Sequence, residues 1–172
     1  MMKHLSTFYC VLLLAIPASA FARMQNFHEV TVSYKAYATA TSAWRVNKKE
    51  RTETVSFTEP ELQIFNERGQ AVLVVTATKR IADSLKHMSG NLRALTLVPG
   101  EPTLDNELQI TRTASGKTFD TASLMKPAYT AVLYVLPPGM CGPCAEMSSL
   151  MKQQAALARN ARVNFVQITI AM

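Results

Sequence analysis

Two cysteines three positions apart, in Cys141-Gly142-Pro143-Cys144, are the residues of this chain best suited to chemistry. Thiols at that spacing can close a disulfide across the first turn of a helix and reopen it. A helix start also offers unpaired amide protons and the positive end of the helix dipole, and both favour a thiolate. Cys141, the more N-terminal sulfur, is therefore the expected nucleophile. It would attack a substrate disulfide, and Cys144, one turn further in, would resolve the mixed disulfide. Pro143 suits the first turn, where its missing N–H costs nothing. Gly142 leaves the approach to Cys141 open.

A structural disulfide and half of a zinc site would use the same two residues. A disulfide closing so short a loop constrains the unfolded chain little. Zinc wants a second pair of ligands at suitable spacing, and neither His28 nor His87 has a histidine or cysteine beside it in sequence. Copper(I) has more in its favour, since Met140, Met147 and Met151 flank the thiols, and thioether with thiolate is a soft set. Methionines at helical spacing are nevertheless more often core filler. No metal and no cofactor is assigned.

The elements that must position the dithiol can be read on either side of it. Ala131 to Leu136 is a continuous apolar run of the kind buried on both faces of a parallel sheet. From Pro143 onward, Met147, Leu150, Met151, Gln154 and Leu157 or Ala158 keep helical spacing, with Asn160 as a stop. Val163 to Ile170 is a second β-rich run. Residues 131 to 170 therefore read as a β-α-β unit with the dithiol at the helix N-terminus.

Upstream, Val30, Val32, Tyr34 and Ala36 alternate with polar residues as in a half-buried strand, and Thr52 to Thr58 does so more weakly. Glu61 to Phe65 and Gln70 to Thr76 flank the Gly69 turn and predict an antiparallel hairpin. A helix follows, capped by Thr78, with Ile81, Leu85 and Met88 on one face and Gly90 past its end. Residues 98–106 hold two prolines and a glycine and read as a linker. Leu108 to Ile110 and Gly116 to Phe119 suggest a strand and a turn.

The first 22 residues have the order of a secretory signal: Lys3, an apolar core from Phe8 to Ile16, then small residues that place cleavage after Ala20 or Ala22. That core is shorter than the ~20 residues that span a bilayer. Ser6 to Tyr9 before Cys10 do not resemble a lipidation box. The expectation is a periplasmic or secreted protein. Loss of the signal would remove Cys10 and leave one dithiol, in a compartment where disulfides persist. The organisation expected is a signal at 1–22, a hairpin and helix region at 23–97, the linker at 98–106 and a dithiol-bearing region at 107–172. Lysine and arginine number 18 against 12 acidic residues, a net charge of +6. The excess is dispersed, and its densest run, Arg45, Lys48, Lys49 and Arg51, reads as a solvated turn, so no nucleic-acid partner is expected.

The segment Ala131 to Met172, with Met140-Cys141-Gly142-Pro143-Cys144 inside it, resembles the first half of the thioredoxin family. The resemblance implies thiol-disulfide exchange through Cys141 and Cys144, disulfide-bearing protein substrates and a membrane electron donor that keeps the dithiol reduced. Reduction or isomerisation is the expected direction. Three positions depart from the family: Met140 replaces the usual tryptophan, Val135 a buried acid and Ser149 a proline. Proton transfer to Cys144 would then fall to water or to Glu146. The family's second half, a cis-proline, a hairpin and a last helix, is not found after β-α-β, yet Pro60, the hairpin and the helix to Met88 resemble it in the right internal order. The expected fold is α/β and thioredoxin-like, circularly permuted or incomplete, with an N-terminal β-rich extension. Permutation requires a cis Glu59-Pro60 bond beside Cys141. The alternative is a separate N-terminal module, with the C-terminal half completed by dimerisation.

Overall fold

The computed structural model describes residues 26–47, 59–88, 95–124, 128–158 and 163–172. In chain order they form β1 (Phe27–Ser33), α1 (Tyr34–Asn47), β2 (Glu61–Asn66), β3 (Ala71–Val75), α2 (Thr78–His87), α3 (Leu104–Gln109), a 3-10 turn (Thr121–Ser123), β4 (Tyr129–Val135), α4 (Gly142–Leu157) and β5 (Val163–Ala171). The fold is α/β, built on one mixed five-stranded sheet in the order β1-β5-β4-β2-β3. β5 lies parallel to both β4 and β1, whereas β2 is antiparallel to β4 and to β3.

β4 and β5 lie in the interior of the sheet, which is why their sequences are almost unbroken apolar runs. Between them α4 makes the crossover. The hairpin forms as its sequence predicts: Gly69 takes φ 69° at the turn, and Asn66 Oδ1 accepts from the amides of Arg68 and Gln70. Glu61 to Asn66 then register against Tyr134 to Tyr129, so the hairpin joins the sheet that holds β-α-β. A separate N-terminal module is not what is found. One sheet takes strands from both sides of the 98–106 segment.

Several element boundaries differ from the sequence reading. The strand expected over Val30 to Ala36 stops at Ser33, because Ser33 Oγ accepts the amide of Ala36 at 3.2 Å and starts α1 there. Tyr34 and Ala36 are thus helical. The α2 cap is Ala77, without a side-chain bond, and Thr78 is the first helical residue. The linker is shorter than 98–106, since Thr103 and Asn106 form a capping box that opens α3. For the same reason Leu108 and Gln109 are helical and Ile110 is the C-cap, not a strand. The turn at Gly116 is present, with φ 78°. The weak strand over Thr52 to Thr58, the stops at Gly90 and Asn160, the basic residues Lys48, Lys49 and Arg51 and the signal at 1–22 lie outside the described residues.

The two faces of the sheet carry different helices. Ser148 of α4 hydrogen-bonds Gln167 of β5, and the β4–β5 register then sets Ala131, Leu133 and Val135 on the α4 face. α2 packs beside α4. Tyr134 points the other way, onto Tyr37 of α1, with ring centroids 5.1 Å apart. Across this second face runs the chain from Leu95 to Leu124. It is tied to β3 through the Val98 amide and Ala71 carbonyl at 2.9 Å, touches the hairpin turn through the Leu104 amide and Gly69 carbonyl, and reaches the β1 edge, where Thr31 and Arg112 exchange backbone bonds of 2.8 and 2.7 Å. Each outer strand is thus bridged at one point, β3 at Ala71 and β1 at Thr31.

Candidate active site

The site begins where β4 ends. Leu136 and Pro137 follow the strand, and the Met140 amide bonds the Pro137 carbonyl at 3.1 Å, closing a turn with Pro138 and Gly139 at its centre. Gly139 takes φ 87°, as the third position of a type II turn requires, and proline suits the position before it. This turn reverses the chain and delivers Cys141 to the N-cap of α4 in an extended conformation, φ −146° and ψ 115°. Pro143 stands in the first turn, as expected from its missing donor.

Cys141 and Cys144 are joined in a disulfide, with their Cα atoms 5.4 Å apart. The extended N-cap and the first helical turn together bring the two sulfurs into bonding distance. Cys141 is the less covered of the pair, at 7% exposed against 3% for Cys144. A Cβ at Gly142 would meet nothing within 4 Å, so the solvent side of Cys141 is open there. Met140, at 50% exposed, forms an apolar rim beside the pair. Beneath it the wall is apolar: Val135, Leu136 and Met147 are all buried. α4 runs sixteen residues behind Cys141, and its first turn carries no acidic side chain to offset the positive end of the helix dipole.

The remaining candidates fall on different sides of this centre. Glu146 is exposed on the outer surface of α4. Ser149 bonds back to the Ala145 carbonyl at 2.9 Å, and the helix continues through it. Met147 and Met151 are fully buried and pack into the core, so of the three methionines only Met140 offers a thioether to the surface. His28 lies across the sheet from α4's face, edge-on to Phe119, and burial lowers its pKa from 6.5. His87, at the end of α2, pairs its Nδ1 with the Asp83 carbonyl at 2.6 Å. Neither histidine stands with the cysteines.

Pro60 corrects the sequence reading. It is buried, and because Glu61 registers with Tyr134 it lies at the same end of the sheet as the dithiol. The Glu59-Pro60 bond is trans, since no cis peptide occurs among the described residues. The physical reason is local: the chain runs from Pro60 directly into an extended strand, which the ordinary trans bond accommodates without the turn that a cis bond serves. Sequence reasoning also missed a buried acid. Glu107, which the sequence reading did not single out, is fully buried on α3 and accepts a hydrogen bond from Tyr134 on the face opposite α4. The signal for it was the capping pattern from Thr103, which turns Glu107 and Leu108 inward together. No family model, curated protein or solved structure matches this chain.

Proposed function

We propose that the protein is a thioredoxin-like thiol-disulfide oxidoreductase, exported through its N-terminal signal, that reduces or isomerises disulfides in other envelope proteins. One observation carries the reading: Cys141 and Cys144 close a disulfide at the N-terminus of α4, directly after a buried parallel strand. Support for a rearranged thioredoxin-like fold comes from the hairpin and α2, which sit beside β4 and α4 as a second half would. The trans Glu59-Pro60 bond fails the requirement set for permutation, so the likeness rests on the sheet order and the α2–α4 packing alone. The exchange needs no cis bond, since it rests on Cys141 and Cys144 at the start of α4.

In the reducing direction the Cys141 thiolate attacks one sulfur of a substrate disulfide. A Cys141–substrate S–S bond forms, the substrate S–S bond breaks and the departing thiolate takes a proton from water. Cys144, deprotonated, then attacks Cys141, and the second substrate thiol leaves. Two electrons pass to the substrate, and the protein ends in the disulfide form described above. A membrane dithiol donor would return it to the reduced state. Among the described residues no helix is long and apolar enough to cross a membrane.

Cys141→Ser should keep the fold and abolish reduction of a model disulfide, and Cys144→Ser should accumulate mixed disulfides that a non-reducing gel resolves. Full activity in Cys141→Ser would end the enzyme reading. Equilibration against glutathione buffers gives the direction: a potential near about −270 mV fits a reductant, and one near about −120 mV would make it an oxidant. Of the three methionines flanking the thiols, Met140 alone is exposed enough to join them in Cu(I) carriage. A chelator competition with Met140→Leu beside the parent tests it, and equal affinities would remove that alternative.

A further inference from the structure

The exchange leaves one buried carboxyl unused. Glu107 has no exposed surface and meets the sheet where the 95–124 segment crosses it. Tyr134 Oη donates to its Oε2, while Oε1 is buried without a partner. Gln63, on the adjacent strand β2, bears on the same carboxyl. Its Nε2 already donates to Glu61 Oε1 at 2.7 Å, and its own Oε1 is likewise buried and unsatisfied. Glu107 Oε1 is thus a buried acceptor without a hydrogen-bond partner, and a charge on this carboxyl is only partly satisfied, by Tyr134 and Gln63. A proton on Glu107 removes a charge that has no access to water there, whereas an ionised Glu107 keeps it buried with one oxygen unpaired.

We propose that Glu107 is a protonation latch: with the proton in place, α3 is clamped on the sheet face, and loss of the proton releases the chain from Leu104 to Thr111 while the strands stay paired. The groups facing the carboxyl agree with this. Tyr134 comes from β4, Tyr37 from α1 meets Tyr134 edge-on, Glu61 comes from β2, and Glu101 comes from the crossing segment itself. Both carboxylates repel a charge at Glu107. Burial is the largest cause that raises its pKa, from 4.5 to about 8, with Glu61 and Glu101 adding to it and the Tyr134 and Gln63 hydrogen bonds opposing. The bonds at either end of the released stretch, Leu104 to Gly69 and Arg112 to Thr31, are between backbone groups and do not titrate. Opening is thus confined to a short helix held between two tethers. The face it uncovers is the reverse of the one that carries the dithiol, so the latch stands or falls apart from the redox reading.

Amide hydrogen exchange on the full chain, with Cys141–Cys144 kept oxidised, tests the latch. Rates are corrected for the intrinsic pH dependence of exchange and compared between pH 6.5 and 9.5, a window above the titration of His28. Amides from Asp105 to Thr111 should lose about tenfold or more protection across it, while those of β4 and β5 hold theirs. Glu107→Gln, which mimics the protonated acid, should abolish the step. Tyr134→Phe removes a donor that favours the charged form and should move the midpoint to higher pH. Unchanged protection of α3 in the parent, or a step of the same size in Glu107→Gln, would overturn the proposal.

Discussion

At the scale of single residues, the dithiol depends on how the turn before it is built. Gly139 holds φ 87°, a conformation that costs an ordinary residue about 1–2 kcal/mol. Gly139→Ala should therefore lower stability by about 1 kcal/mol and slow disulfide exchange, because strain relieved in the turn displaces Met140 and Cys141. Urea unfolding and a turnover assay on the same variant check the two effects. The methionines separate by burial. Met147→Ala leaves a cavity under the dithiol and should cost about 2–5 kcal/mol, whereas Met140→Leu, at an exposed position, should leave the unfolding midpoint within experimental scatter. A large loss in Met140→Leu would mean that the rim is a packed element and not a free surface.

At the scale of elements, the two helices absent from the sequence reading both begin with hydroxyl caps inside stretches that also fit other structures. Ser33 sits at the end of a clean period-two pattern, and Thr103 sits in a segment punctuated by prolines and glycine. Alternation and turn composition are regular over several residues, while a cap is one side chain, so the longer pattern dominated. Ser33→Ala removes the acceptor for the Ala36 amide and should cost about 1 kcal/mol; Thr103→Ala, which breaks a reciprocal capping box, should cost a similar amount. Thermal melts of the two variants measure this directly. An unchanged melt for Ser33→Ala would show that α1 is held by the packing of Tyr37 and not by its cap.

At the scale of the whole molecule, stability should depend on pH through Glu107. Its folded pKa, about 8, lies above the unfolded value of 4.5, so between those two pH values the native state holds a proton that the unfolded chain has released. Stability from this group is full below pH 4.5, falls as pH rises and is lost above about 8. With roughly 1.4 kcal/mol for each pKa unit, the loss has an upper limit of about 5 kcal/mol, and opening of α3 caps it at the cost of that opening. Glu107→Gln should flatten the pH profile and be the more stable protein at pH 9. Urea unfolding at pH 5, 7 and 9 checks the sign. A profile that rises toward pH 9 in the parent would contradict it.

Much of the candidate site was legible in the sequence, since its parts are neighbours along the chain. Strand, turn, dithiol and helix fall within residues 129–157, and local physics, an apolar run, a proline in the first turn and cysteines at helical spacing, was enough to order them. The hairpin was legible for the same reason. Only the tertiary structure decided how the pieces share a sheet: that β2 lies antiparallel on β4, that Glu59-Pro60 is trans at the dithiol end, and that residues 95–124 cross the opposite face. Those relations join positions far apart in the chain, and a contact between distant residues leaves no periodicity for a single sequence to carry. Glu107 is the sharpest instance. Its acidic side chain reads as solvent-exposed until Tyr134 and Gln63 are brought against it and burial raises its pKa to about 8.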